Sequence, residues 1–431
     1  MDRKARNALE RLFDEVNQHI GSINDSDSAH PNEAIAAFSN DGGNLTTLSD
    51  DTFEVKHMRS EDLRSWNSPW KASYGLDGSS TTPLVFQNGL TATASAAKLG
   101  VAGHTDNDSV RHNTTISSIV YYDNPDFELE KTTFESDEVS AELAQFPSNS
   151  GRPYRLSKIT NWLLTLANSH AEGKHAYTHA DQLDGPLFID GPLYPSEIFS
   201  WMLFAQGNQA TEPLTLWPEM IHKILDYYIK TIETLHDKGL PVVGVTKTTK
   251  STIALEALVE KSPHEESHTT FPWNSDYQLF SAALFNSPTR PTTERAISYT
   301  PWLLIEKYGS GSNQVKPFDY NGVELKYGLP DDYQKAFFYA RTPSEDRVMR
   351  IEAPYCTVDT KEKREEVQKL ALKELDAQQK EPRAITAADE LARIPKSTRN
   401  ELRRILVQGI ETESIIDYNE RRGYDEFEDN I

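Results

Sequence analysis

The sequence predicts an α/β protein: a mixed sheet flanked by helices, with additional helices toward the N- and C-terminal ends. Three observations predict it. A short apolar run, PLFID (186–190), is followed by a long amphipathic helical pattern, a second apolar run, LPVVGV (240–245), and the start of another helix. Strand and helix alternating in that order imply a parallel component in the sheet. Strand-like runs separated by turns between residues 82 and 122 read as a meander. Finally, KAFFYART (335–342) and DRVMRIEAP (346–354) read as adjacent antiparallel strands.

The elements follow in order. Leu9, Leu12, Phe13, Val16 and Ile20 recur at helical spacing and predict a first amphipathic helix, which would dock on the core or on another subunit. Residues 21–50 are rich in Ser, Asp, Asn and Gly and read as a loop or mobile linker, so 1–50 is set apart as helix plus linker. Structure is expected to resume near Trp66. Ser73 to Leu76 leads into a DG dipeptide, and Thr82–Gln87, 91–103 and 114–122 are strand-like. Residues 123–153 are acidic, broken by Pro and Gly, and read as a surface excursion. A helix is expected over Leu156–Ser169, with Ile159, Trp162, Leu163 and Leu166 on one face. After PLFID comes a helical stretch around Glu197–Ala205. The strongest helical pattern in the chain spans 220–239, with Ile221, Ile224, Leu225, Tyr228, Ile229 and Ile232 in register and Gly239 as its stop signal. The C-terminal part reads as helical at 363–379, 387–394 and 397–408, and ends in an acidic tail, 416–431.

Composition narrows the function classes. The chain has 431 residues, 37% of them hydrophobic, enough for a sizeable core. No stretch approaches the roughly 20 apolar residues of a membrane helix, and the charged N-terminus lacks a signal-peptide apolar core. A cytoplasmic protein without membrane association is expected. Cys356 is the only cysteine, which excludes an internal disulfide and a multi-cysteine zinc site. No His or basic side chain adjoins it in sequence, so it reads as a buried structural thiol. The formal net charge of -22 repels nucleic acid over most of the surface and argues against a simple DNA-coating protein. A nuclease remains compatible, because its site needs carboxylates and its DNA contacts can be confined to a basic channel or supplied by a partner.

Four groups of residues are chemically suggestive. Asp77 in SYGLDGSS and Asp190 in PLFIDGPLYP each end a strand-like run and precede Gly. Such a pair on neighbouring strands binds divalent metal through hard oxygen ligands; each DG alone is a common turn dipeptide. GVTKTTKST (244–252) nearly satisfies the phosphate-loop pattern, but Thr249 replaces its second Gly. A basic loop, with Lys247 and Lys250 meeting nucleic-acid phosphate, fits better than an ATPase loop over Gly244–Ser251. His170, His175 and His179 would permit zinc, yet their segment is polar and reads as solvated surface. In FPWNSDYQLF, Trp273, Asp276 and Phe280 read as part of a packed helix. Arg341, Arg347 and Arg350 alternate with apolar residues and would line a DNA channel or a solvated strand face.

The order of these motifs resembles the NurA nucleases, and archaeal members with a DGP-x-YP motif in particular. It runs DGSS, IDGPLYP, PVVGVTK, PW-x-x-D-x-x-LF, RIEAP and EPRAITAADELARI, over about residues 66–410. The resemblance implies a ribonuclease H-like mixed sheet flanked by helices, within a nuclease domain spanning 51–415. It implies a deoxyribonuclease dependent on Mn²⁺, with Mg²⁺ as the alternative, acting 5′ to 3′ on DNA ends and cutting single strands. The partners implied are DNA, a second copy of the chain and a hexameric HerA-type ATPase, in the resection of double-strand breaks. Residue by residue, Asp77 and Asp190 match the family's metal-binding aspartates and Lys247 matches a lysine of the G-V-x-K loop. Two positions depart: Glu381 and Asp389 stand where the family has Tyr and His, and Asp389 is the expected third ligand. The family's further glutamate corresponds to Glu172 or Glu142. The altered positions leave open a catalytically reduced adaptor that holds an ATPase ring on DNA.

Overall fold

The computed structural model describes residues 6, 9–15, 30–36, 38, 45–48, 53–105, 107–148, 154–206, 212–247, 251–261, 271–287, 295–308, 324–326, 330–342, 347–378, 380–393 and 414–415. Residues 9–15 are the described part of α1. Then come α2 (Pro31–Ala36), β1 (Leu45–Thr47), β2 (Lys56–Arg59) and α3 (Ser60–Ser65). The meander holds β3 (Ala72–Ser80), β4 (Leu84–Phe86), β5 (Thr91–Gly103), β6 (Thr114–Tyr121), β7 (Thr132–Glu135) and β8 (Val139–Gln145). The alternating part holds α4 (Leu156–His179), β9 (Leu187–Asp190), α5 (Ser196–Gln206), α6 (Glu212–Leu216), α7 (Pro218–Asp237), β10 (Val242–Thr246), α8 (Ile253–Lys261) and α9 (Asp276–Phe285). The chain closes with β11 (Ala296–Tyr299), β12 (Leu303–Ile305), β13 (Lys335–Arg341), β14 (Val348–Pro354), α10 (Lys361–Gln378), α11 (Arg383–Ala392) and β15 (Ser414–Ile415).

One large mixed sheet runs β1-β12-β13-β14-β10-β9-β3-β5-β6-β8-β7. Its centre is parallel, β10 against β9 and β9 against β3, and antiparallel pairs flank it. Alternation along the central strands sends side chains to two cores. Tyr74, Leu76, Leu187, Ile189 and Val242 pack with the apolar faces of α4 and α7. Phe188, Val243 and Val245 pack with Leu370 and Leu375 of α10 and Ile385 of α11. The seat of α11 is made of backbone. Gly75 and Gly100 are cross-strand partners, and a Cβ on either would lie 2.1 Å from the Ala384 carbonyl oxygen or 2.2 Å from the Ala388 amide nitrogen. No helix among the described residues is long and apolar enough to cross a membrane.

Several expectations need correction. Part of the supposed linker is ordered: Ala34 and Ile35 of α2 are buried, and β1 pairs with β12. The supposed surface excursion contains β7 and β8, which extend the sheet beyond β6. Helix α4 continues ten residues past Ser169 to His179. Its Gly173, a weak helix former, leaves room for α7, since a Cβ there would lie 2.8 Å from the Tyr228 ring. His170, His175 and His179 are therefore buried rather than solvated, and the hydroxyls of Ser117 and Thr115 on β6 bond two of them. Arg341 and Arg350 are buried too, over the rings of Phe285 and Phe337, so neither lines a channel nor a solvated face; Arg347 is exposed. Cys356 is a buried free thiol, and burial raises its pKa to about 11. Leu9, Leu12 and Phe13 on α1 are exposed. Val16, Ile20, the pattern at 397–408 and the tail 416–431 lie outside the described residues.

Two consequences can be measured. Gly100→Ala should cost about 3 kcal/mol by overpacking, seen as a lowered denaturation midpoint, because the neighbour that must yield is helix backbone. Burial holds the His175 imidazole well below its usual 6.5, so below that pH the unfolded chain binds a proton the folded chain refuses. Stability should therefore fall with pH from about 6.5 downward, by up to ~1.4 kcal/mol per unit for each such histidine. His175→Gln should flatten that slope in thermal melts taken between pH 7 and 5.

Candidate functional site

Strand β9 ends at Asp190, where the chain turns through Gly191 at φ 136°, and the Gly191 N–H donates to the Val245 carbonyl at 3.0 Å. Asp77 differs from expectation. Its strand runs on to Ser80, so Gly78 makes no turn. It makes space: a Cβ at Gly78 would lie 2.5 Å from Glu172 Oε1 and 2.9 Å from Asn168 Oδ1. The parallel register pairs Leu76 with Ile189, which leaves Asp77 and Asp190 level on adjacent strands and facing α11. Glu172, on α4, approaches the same carboxylates from the other face of the sheet. Asn168 Nδ2 donates to Glu172 Oε1 at 2.8 Å, and the Tyr228 hydroxyl donates to Oε2 at 3.1 Å.

Helix α11 brings two more acids. Glu381 precedes it and exposed Asp389 lies within it. Among the described residues the cation bonded to these acids is Lys247, just past β10, with Nζ 2.8 Å from Asp190 Oδ2 and 2.6 Å from Glu381 Oε2. Burial resists the ammonium charge, but these hydrogen bonds outweigh it and raise the Lys247 pKa. One ammonium does not balance this many acids. Burial, then the charges of Asp190 and Asp389, push Asp77 up to about 7 against the pull of the Gly78 N–H and Lys247. Burial and Asp77 push Glu172 up to about 8, although Asn168 and Tyr228 favour its charged form. Asp190 is raised by burial, with Lys247 opposing and Glu381 and Asp389 adding to the shift.

The donors are all oxygen, which suits a hard divalent cation, and their mutual repulsion is what such an ion relieves. Among the described residues no group of three or more His, Cys, Asp or Glu side chains is arranged to hold a metal ion; Lys247 lies between Asp190 and Glu381 instead.

Of the residues expected from sequence, the structure gathers Asp77, Asp190, Asp389 and Lys247 here. Lys250 lies outside the described residues. Of the two candidate glutamates, Glu142 is on β8, tied to Lys131 at 2.8 Å, and Glu172 stands beside Asp77. Asn168, Tyr228 and the Glu381–Lys247 pair were missed. The four-residue spacing of Asn168 and Glu172 would have signalled a shared helix face had α4 been extended past Ser169. The phosphate-loop alternative meets a physical obstacle. Where such a loop would hold phosphate, the N–H groups of Ala254 and Leu255 at the start of α8 donate to the Asp276 carboxylate at 3.0 and 3.1 Å, and Ser251 donates to its other oxygen at 2.7 Å.

No curated protein matches the chain. Among solved structures it is similar to the NurA nuclease from Sulfolobus solfataricus, at 10% identity and TM-score 0.44, with 95% of this chain and 98% of that one covered. It is also similar to NurA with manganese, at 11% identity and TM-score 0.38, with 81% of this chain and 95% of that one covered. A third similar structure is NurA bound to dAMP and manganese, at 12% identity and TM-score 0.31, with 80% and 90% covered. The sequence model of the NurA domain matches residues 71–394, from the residue before β3 to just past α11, and the chain belongs to the NurA family.

Proposed function

We propose that this protein is a metal-dependent DNA nuclease whose site is built on Asp77, Asp190 and Glu172. The observation that carries this reading is the level placement of two aspartates on parallel neighbours, with a glutamate behind them and too little positive charge among them. Asp389 borders the same space and is the further ligand we propose, beside Glu381. The resident ion is Mn²⁺ in this reading, with Mg²⁺ as the alternative. When bound, it stabilises charge on the scissile phosphate and makes a nearby water more acidic. The chain's own residues do the rest. Asn168 and Tyr228 hold the Glu172 carboxylate, the Gly191 turn aims Asp190, and Lys247, 40% exposed, steadies a strand phosphate. The order β6-β5-β3-β9-β10, three antiparallel strands continued by two parallel ones, supports a ribonuclease H-like core.

The finer reading is a 5′–3′ exonuclease and single-strand endonuclease in double-strand break resection, acting in the cytoplasm as a homodimer on a hexameric HerA-type ATPase. A DNA path shared with such a partner accommodates a chain of net charge -22. A second reading, an adaptor of reduced activity, is favoured by the ammonium of Lys247 engaging Asp190.

Cleavage of end-labelled duplex and single-stranded DNA with Mn²⁺, with and without the ATPase, tests the proposal. Asp77→Ala and Asp190→Ala should each lower kcat by about 10³-fold, roughly 4 kcal/mol of lost transition-state stabilisation. Full cleavage by both variants would sink it, and a wild-type protein that takes up no Mn²⁺ in calorimetry would favour the adaptor. Tyr228→Phe, which removes one hydroxyl, should weaken Mn²⁺ binding by about tenfold at an unchanged melting temperature.

A further inference from the structure

Behind the carboxylate site lies a buried charge network that none of the proposed chemistry uses. Glu352 on β14 is fully buried, with Arg350 and Lys335 buried beside it. Arg350 Nε donates to Glu352 Oε1 at 2.7 Å, and Lys335 Nζ lies 3.8 Å from Oε2. Burial opposes the Glu352 charge, but Arg350 and Lys335 outweigh it and hold its pKa at about 2. A buried ion network of this kind is weak evidence for stability, since a packed apolar replacement is often as stable. Its geometry points elsewhere. Glu352 Oε2 accepts the Leu193 N–H at 2.9 Å, three residues after Asp190.

This contact depends on a gap in the intervening strand. Glu352 is paired with Gly244 of β10, and a Cβ on Gly244 would lie 2.5 Å from the Leu193 nitrogen. The missing side chain lets the turn after Asp190 settle onto β10, where the charged oxygen of Glu352 meets it. The turn is thereby pinned twice, by the Gly191 N–H on Val245 and by the Leu193 N–H on Glu352. An ionised acceptor makes the second pin the stronger kind of hydrogen bond.

We infer that Glu352 is a positioning residue: through Leu193 it fixes the turn that aims the Asp190 carboxylate. Arg350 and Lys335 keep it ionised for that task. The inference rests on the reading of Asp190 as a metal ligand for its functional consequence, but its structural half stands apart from that reading.

The test compares full-length wild type, Glu352→Gln, and a charge-free triple variant, Lys335→Met with Arg350→Met and Glu352→Leu. The triple variant removes the pin together with all three charges of the network. Melting temperature, amide hydrogen exchange over 190–193 without metal, and Mn²⁺ affinity by calorimetry are measured on each. In the triple variant we expect a melting temperature within a few degrees of wild type, about tenfold faster exchange at 190–193, and about tenfold weaker Mn²⁺ binding. Glu352→Gln, which keeps an acceptor for Leu193, should fall between. Unchanged exchange at 190–193 would overturn the inference, and so would a loss of protection spread evenly over the sheet, which would mark the network as structural. If exchange quickens while wild-type Mn²⁺ affinity persists in the triple variant, the pin does not aim Asp190 and the inference also fails. A wild type that binds no Mn²⁺ overturns the metal reading instead, and the exchange result then decides the turn alone.

Discussion

Parallel pairing of Tyr74, Gly75 and Leu76 with Leu187, Phe188 and Ile189 joins the two halves of the sheet. On one side lies the meander of β5, β6, β8 and β7, and on the other the block of β10, β14, β13 and β12. Parallel pairing requires a long crossover, supplied here by a chain that leaves β3, builds the meander and returns through α4. The crossover helix is the element that carries Asn168 and Glu172. A slip of one residue in this register would turn Asp77 or Asp190 into the core beside α4 and α7. The buried apolar residue before each aspartate, Leu76 and Ile189, makes that slip costly.

Charge works at two levels in this molecule. In the carboxylate cluster acids outnumber the cation Lys247, and burial together with repulsion raises Asp77, Glu172 and Asp190. In the Glu352 network the balance is reversed, with two cations around one acid. The first arrangement leaves a demand for positive charge, while the second satisfies its own. The two meet at the Asp190 turn, which is anchored by the satisfied network and presents its carboxylate to the unsatisfied one.

Much of the central sheet was legible. PLFID, LPVVGV and the KAFFYART–DRVMRIEAP pair became β9, β10, β13 and β14 because runs of β-branched and aromatic residues buried on both faces leave little alternative. The seven-residue strand β8 was not legible, because Glu142 and its polar neighbours mask the alternation and Lys131 compensates the buried acid only in three dimensions. The second half of α4 was hidden by Gly173 and by histidines whose partners, Thr115 and Ser117, lie on a distant strand. Asp77 and Asp190 stood out through their matching local contexts. The Lys247–Glu381 contact spans 134 positions, beyond the reach of any local pattern, and the buried state of Arg350 likewise depends on Glu352 and on a sheet filled on both faces.

The backbone seat beneath α11 bears on how such chains can diverge. Gly75 and Gly100 face each other across β3 and β5, and each is held to hydrogen by helix backbone rather than by a side chain that could be traded for a smaller one. No compensating substitution in α11 opens room there, since Ala384 and Ala388 already present backbone at the contact. The two glycines and the helix are thus a single heritable unit. A descendant that shed the Arg383–Ala392 helix would be released to place side chains at both strand positions, and would lose Asp389 in the same event.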